Sequence, residues 1–285
     1  MNKKKRIISK LEIKGSNLVK GINLEGLRVL GKPEYFAEYY YKNNIDEIIY
    51  QDVVASLYGR NNLKELIKIV SDKIFIPMIV SGGLRSLNDI REILRAGADR
   101  VCINSEGIKN PEFLKNSVKE FGSSTIVANI QVQKTLNNEY LCYIENGRQV
   151  TDYKLEDWAC KVQDLGVGEL LITSINFDGT GKGFDLNLIN KIEKKIEIPI
   201  ILSGGAGSYN HIKELFYNTK VDGVAISSMF HYFLVEKNKK IIKKNKYEEG
   251  NLTFLNNNIE GFGGYTSSIL DLKNFLLKNN IACKL

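Results

Sequence analysis

Short runs of β-branched and aliphatic residues alternate along this chain with polar or glycine-rich turns, and most turns lead into a stretch whose apolar residues recur at three- and four-residue spacing. Short apolar runs bounded by turn residues read as buried strands, and the longer period reads as amphipathic helix, so the order predicts βα units around a parallel sheet. Strands are expected at 6–13, 47–51, 77–81, 100–104, 125–131, 169–174, 199–203 and 223–227. Helices are expected between them at 63–70, 87–96, 111–121, 155–165 and 212–217, with a last one near 269–278.

The pattern also repeats within itself. Ile-Pro-Met-Ile-Val-Ser-Gly-Gly at 76–83 returns as Ile-Pro-Ile-Ile-Leu-Ser-Gly-Gly at 198–205, and Ala-Asp-Arg-Val-Cys-Ile-Asn-Ser at 98–105 is echoed by Val-Asp-Gly-Val-Ala-Ile-Ser-Ser at 221–228. Two halves with the same strand pair predict an α/β fold that closes as a (β/α)8 TIM barrel, in preference to an open doubly wound sheet. The 285 residues suit one such domain, whose usual size is ~250 residues, so a single domain over 1–285 is expected. The stretch 235–264 breaks the rhythm: Lys237, Lys239, Lys240, Lys243, Lys244 and Lys246 precede an Asn- and Gly-rich segment. It reads as an insertion after the eighth strand, either a solvated basic loop or a lid or docking surface.

Composition narrows the function classes. The chain is 43% hydrophobic and 26% charged, and no apolar run approaches the roughly 18 residues of a membrane span. The basic start Met1 to Arg6 is not followed by a signal-peptide apolar core, so a cytoplasmic location is expected. The net charge of +7 suits anionic small molecules or an acidic partner, while the abundance of Lys and Asn throughout argues for compositional bias over nucleic-acid binding. Cys102, Cys142, Cys160 and Cys283 form no Cys-x-x-Cys pair, and with His211 and His231 they give no zinc-ligand spacing. No metal and no cofactor are expected.

In such a barrel the working residues lie at the C-terminal ends of the strands. There, Ser81-Gly82-Gly83 and Ser203-Gly204-Gly205-Ala206-Gly207 leave backbone N–H groups open to an anion. Asn104-Ser105 and Ser227-Ser228, at the ends of the next strands, complete each cradle, and two related cradles imply two phosphates. Asp178-Gly179-Thr180-Gly181 adds a carboxylate that can face a ligand, although Asp-Gly is also a common turn. Asp52, at the end of strand 2, is a base, a ligand contact or a helix cap on this reading.

Several segments together resemble one family. Lys-Arg-Ile-Ile, Leu-Glu-Ile-Lys-Gly and Leu-Val-Lys-Gly within 5–21, Phe-Gly-Ser at 121–123, Gly-Glu-Leu-Leu-Ile-Thr-Ser-Ile-Asn-Phe-Asp-Gly-Thr at 168–180 and Ser-Gly-Gly-Ala-Gly at 203–207 are similar to the cyclase subunit of imidazole glycerol phosphate synthase, the HisF family. The resemblance covers nearly the whole chain outside 235–264. It implies a barrel that takes ammonia from a HisH-like glutaminase at its base and uses it at the top on a bis-phosphorylated ribosyl substrate. It also implies phosphate contacts at Gly83, Asn104 and Ser105 on one side and at Asp178, Gly179, Gly205, Ser227 and Ser228 on the other. Lys20 matches the lysine of the family's mobile first loop, and Arg6, Glu47, Arg100 and Glu169 match its ammonia gate. Read from the residues alone, charges at strand entrances are usually solvated.

The family's acid and base are two aspartates at the ends of strands 1 and 5. The matching positions here are Glu12 and Gln131. A glutamine side chain has no proton to exchange near neutral pH, and Glu12 sets its carboxylate one methylene further out. Kept cradles and gate with an altered acid–base pair lead us to expect a paralogue outside histidine synthesis, working with a glutaminase and an ATP-dependent sugar amidotransferase in acetamidino-sugar and surface polysaccharide synthesis. One alternative is a working cyclase of histidine biosynthesis that recruits Asp52 or Asp178. Another is a non-catalytic barrel that scaffolds around a phosphorylated sugar.

Overall fold

The computed structural model describes residues 3–55, 63–237 and 262–285. Eight parallel strands close on themselves: β1 (Arg6–Lys14), β4 (Glu47–Asp52), β5 (Met78–Ser81), β6 (Arg100–Ile103), β7 (Ile126–Lys134), β10 (Glu169–Ser174), β11 (Ile200–Ser203) and β12 (Gly223–Ile226). Neighbours pair in that order, and β12 returns to β1 in the register Arg6 to Gly223 through Ser9 to Ile226. The chain is therefore a (β/α)8 barrel, and each expected strand lies where the sequence placed it, within a few residues at its ends.

Helices follow the strands on the outside. Those over Leu63–Ser71, Leu87–Arg95, Pro111–Phe121, Leu155–Asp164, Tyr209–Asn218 and Ile269–Lys278 were expected, and Pro33–Lys42, Leu186–Ile192 and Ser228–Lys237 join them. The internal repeat extends to the caps: Ser86 and Ser208, each five residues beyond its Ser-Gly-Gly serine, accept a hydrogen bond from the backbone N–H three residues on. Val235, Glu236 and Lys237 end the helix Ser228–Lys237. The basic stretch beyond it, 238–261, lies outside the described residues. Where the chain resumes it rests on the top of the barrel, with Gly263 N–H donating to Thr180 O at 3.1 Å and Tyr265 N–H to Gly207 O at 2.7 Å.

Two β-hairpins extend the rim. β2 (Asn17–Ile22) and β3 (Glu25–Gly31) continue antiparallel from β1, and β8 (Tyr140–Ile144) and β9 (Gln149–Lys154) continue from β7. They occupy equivalent places in the two half-barrels. Their turns use left-handed backbone at Asn23 and Leu24 and at Glu145, Asn146 and Gly147.

Strand alternation sorts the side chains. Ile7, Leu11 and Ile13 of β1 face the helices, whereas Arg6, Ile8, Lys10 and Glu12 alternate with them toward the lumen. One residue from each barrel strand, Ile8, Ile49, Ile79, Cys102, Val127, Leu171, Ile201 and Ala225, forms a separate buried apolar cluster that fills the middle of the lumen. Burial pushes the Cys102 thiol up to about 12, so it packs as a neutral group. No helix among the described residues is long and apolar enough to cross a membrane.

Candidate functional site

Below the apolar cluster, at the strand entrances, four charges meet. Arg6 pairs with Glu47 at 3.1 Å and with Glu169, and Arg100 pairs with the same two carboxylates. The result is a closed ring of alternating sign. Both glutamates are almost fully buried, while the arginines keep some contact with water. Each carboxylate has two partners, which offsets its desolvation. The inward positions of four strands thus gather the charges that sequence reasoning alone would leave solvated.

Above the apolar cluster the lumen becomes polar, and here a second charged cluster sits at the end of β1. Lys20 reaches in from β2 and donates to both Glu12 oxygens at 2.9 Å and to Asp178 Oδ1 at 2.6 Å. Lys10 Nζ lies 3.1 Å from Glu12 Oε1 and 3.9 Å from Asp178 Oδ2. All four side chains are buried, two cations with two anions. Burial raises the Glu12 carboxyl, but Lys20 and Lys10 outweigh it and hold the group below the ordinary carboxylate range. For Lys20, burial lowers the ammonium and Asp178 and Glu12 more than restore it, so it stays charged. Sequence reading missed Lys10; its signal is the period-two alternation of β1, which puts it on the same face as Arg6 and Glu12.

His231 was also missed. Its Nε2–H donates to the Lys10 carbonyl at 3.0 Å and its Nδ1 accepts from the Tyr40 hydroxyl at 2.7 Å, because the carbonyl can only accept. It holds the back of β1 rather than a ligand.

The two glycine-rich turns differ. On one side, Ser203, Gly204, Gly205 and Ala206 lie with Asp178, Gly179, Ser227 and Ser228 around a tight space of about 20 Å³ that Lys20 closes. Gly205 sits at φ +112 with its carbonyl bonded to Gly183 N–H at 2.8 Å, and a Cβ there would fall 1.9 Å from the Gly183 carbonyl oxygen. Ser227 Oγ donates to Lys10 O at 2.7 Å, and Ser228 is buried beside it. On the other side, Ser81, Gly82 and Gly83 with Asn104 and Ser105 border an open cavity of about 300 Å³. There Gly82 lies at φ +110 with a Cβ position 2.6 Å from Asp52 O. Ser105 Oγ accepts from Glu145 N–H at 3.0 Å, and Asn104 Nδ2 donates to Tyr143 O at 3.3 Å, so the hairpin β8–β9 supports this cradle.

Gln131 and Asp52 both line this larger cavity, together with Gln51, the register partner of Glu12 on the neighbouring strand. Asp52 Oδ1 accepts from Val54 N–H at 2.9 Å, a turn contact, while burial raises its carboxyl above the usual range. Asp178 belongs to the Glu12 cluster instead. Of the acid–base positions of the sequence reading, Glu12 is held between Lys10 and Lys20, whereas Gln131 lines the cavity with Gln51, Asn129, Asn146 and Asp52.

Comparison with known proteins agrees with this architecture. The model of the family described as "Histidine biosynthesis protein" matches residues 6–236. The chain is similar to the imidazole glycerol phosphate synthase subunit HisF of Legionella pneumophila, at 46% identity over 71% of this chain and 95% of the relative. It is 41% identical to that of Bacillus cereus (strain G9842), over 80% of this chain and 90% of the relative. The HisF subunit of Streptococcus mutans is 38% identical over 86% and 98%, respectively. With the family model matched over most of the chain and relatives matched over most of their length, the chain belongs to the histidine biosynthesis protein family and, within it, to the HisF subunits of imidazole glycerol phosphate synthase.

Proposed function

We propose that this barrel is the synthase subunit of a glutamine amidotransferase complex of the imidazole glycerol phosphate synthase type. A HisH-like glutaminase docks below the ring of Arg6, Glu47, Arg100 and Glu169 and releases ammonia into the lumen. Opening of the ring admits it, and the neutral molecule crosses the apolar cluster to the rim. There the cradles at Gly83, Asn104 and Ser105 and at Gly179, Gly205, Ser227 and Ser228 hold the two phosphates of one ligand. The observation that carries the reading is the pair of repeat-related cradles above a closed ion-pair ring, and the HisF relatives support cyclisation for histidine synthesis as the reaction.

In that reaction Glu12 is the carboxylate nearest the family's acid–base role. A ligand phosphate that draws Lys20 away from Glu12 and Asp178 would free both carboxylates for proton transfer. A second reading is favoured by Gln131, which exchanges no proton: a paralogue that conducts ammonia for another acceptor, such as a sugar handled by an ATP-dependent amidotransferase in polysaccharide synthesis. The relatives give that reading no support.

Complementation separates the two. Growth without histidine of a strain lacking its own HisF, on expression of this chain, establishes the cyclase; failure to grow, combined with stimulation of glutamine hydrolysis by a HisH-type glutaminase, establishes the paralogue. Neither growth nor stimulation refutes both.

A further inference from the structure

Arg6 and Glu47 are held from behind by a side chain that the proposed function does not use. Lys273, on the last helix Ile269–Lys278, is fully buried. Its Nζ donates to Asp46 Oδ1 at 2.6 Å and to the Asn44 carbonyl at 2.5 Å. The other oxygen of Asp46 accepts from the Ile7 N–H at 2.7 Å, and the Asp46 N–H donates to the Ile7 carbonyl at 3.1 Å. Ile7 follows Arg6 and Asp46 precedes Glu47, so both ends of this link stand one residue from a member of the basal ring. Taking an ammonium out of water is costly unless it is paired and hydrogen-bonded, and the Asp46 carboxylate and the Asn44 carbonyl together meet that need.

The other strand entrances show what Lys273 adds. Asp99 and Asp222 stand, like Asp46, just before a barrel strand, and each accepts from an N–H at the start of the strand before it, Met78 at 2.8 Å and Ile200 at 3.1 Å. Asp99 is exposed, and Asp222 pairs with Lys3, whose side chain is 71% exposed. Of these three aspartates, Asp46 is the one anchored to a buried ammonium. The C-terminal segment also holds the other flank of Arg6, because Ala282 O accepts from the Lys5 N–H at 2.7 Å, and Asp222 O accepts from the Arg6 N–H at 3.0 Å. The N–H groups of Lys5, Arg6 and Ile7 are thus all taken by other elements. Arg6 Nη1 reaches Glu47 Oε2 at 3.1 Å, and a slip of about half an ångström between β1 and β4 would carry that contact out of good hydrogen-bond range.

We propose that Lys273 is a positioning residue of the basal ring: through Asp46 it locks the segment Asn44 to Glu47 onto the start of β1 and so sets the spacing of Arg6 and Glu47. The last helix is then part of the gate as well as of the outer shell. Removing the ammonium frees one oxygen of Asp46 and the Asn44 carbonyl, and the ring loosens first at its Arg6–Glu47 corner. Arg100 keeps its backbone support through Asp99 and Met78. That the ring gates ammonia is taken from the proposed function; the link from Lys273 to Arg6 does not depend on it.

The test starts from the full chain alone, by ¹H–¹⁵N NMR of its arginine and lysine side chains. A guanidinium held by two carboxylates turns slowly about its Cζ–Nε bond and shows separate Nη signals. In Lys273→Met the rotation of Arg6 is expected to speed up at least fivefold, and more than that of Arg100. Lys3→Met, which removes the exposed partner of Asp222, is expected to leave it within twofold. Should the methionine variant fail to fold, Lys273→Gln, which keeps a donor for the Asn44 carbonyl, is expected to speed the rotation at least twofold. The unaltered protein must also show a Lys273 ammonium signal that persists at pH 7. Absence of that signal, an Arg6 rotation unchanged in both Lys273 variants, or an equal effect of Lys3→Met overturns the proposal. A HisH-type glutaminase is then added. Lys273→Met is expected to bind it within twofold of the parent while stimulating glutamine hydrolysis at least threefold less, and unchanged stimulation with a loosened Arg6 overturns the role in gating. A parent chain that gives no stimulation refutes the ammonia reading, and the NMR results then decide the brace by themselves.

Discussion

His231 lets the fold's response to acid be worked out from one side chain. The ring is fully buried, with Nε2–H on the Lys10 carbonyl and Nδ1 on the Tyr40 hydroxyl. A second proton would have to sit on Nδ1, against that hydroxyl, in a site that also faces the Lys20 and Lys10 ammonium groups. Burial first and Lys20 next pull the imidazolium down from 6.5 to about 3, against a smaller opposing effect of the Lys10 carbonyl. The folded value lies below the unfolded one, so the unfolded chain takes up a proton that the folded chain refuses. The contribution is complete above pH 6.5 and is lost as pH falls from there toward 3. Between pH 7.5 and 5.5 this one group removes about 1.4 kcal/mol. Urea unfolding of the protein and of His231→Gln at both pH values reads it directly. The variant is expected to be less stable by about 1–2 kcal/mol at pH 7.5, with the gap narrowing by about 1.4 kcal/mol at pH 5.5. An unchanged gap would show that the imidazole does not titrate in this window and would refute the assigned network.

Three further outcomes test other parts of the structure. Lys20→Met strips two buried carboxylates of a partner and is expected to cost about 3 kcal/mol; the Glu12 carboxyl, held low in the native protein, should titrate at higher pH, visible by ¹³C NMR, so that stability is lost earlier on acidification. Arg100→Ala opens the basal ring and, with the arginine partly hydrated, is expected to cost about 2 kcal/mol of unfolding free energy, together with loss of coupling between a bound glutaminase and the rim in a paired activity assay. Gly205→Ala drives a Cβ into the Gly183 carbonyl from a left-handed backbone; a loss of about 3 kcal/mol or more in stability is expected, and a variant as stable as the parent would contradict the cradle geometry.

Much of the barrel was legible because most barrel strands are short apolar runs followed by a turn and a periodic helix. The hairpins β2–β3 and β8–β9 were not, since their strands are short and mixed, and their register is set by contact with β1 and β7 rather than by local pattern. The two glycine-rich turns could be read from composition and from repetition. The ring of Arg6, Glu47, Arg100 and Glu169 could be located by resemblance, but its closure depends on strand stagger, which no single segment encodes. Lys10 and His231 escaped for different reasons: Lys10 shares a strand face with Glu12 but reads as an ordinary lysine in a β-branched run, and only the tertiary fold buries it beside Asp178, while His231 is a lone histidine that the fold brings to Tyr40.

The disc of eight apolar side chains across the lumen sets a spacer between two charged groups. Arg6 and Lys10 lie four residues apart on β1, roughly 13 Å along the strand, with Ile8 between them. An apolar medium carries a field instead of damping it, so what uncouples the two ends is this length together with neutrality: the ring below balances Arg6 and Arg100 against Glu47 and Glu169, and the cluster above balances Lys10 and Lys20 against Glu12 and Asp178. Removing one charge at either end would break that balance and let its field reach across the spacer.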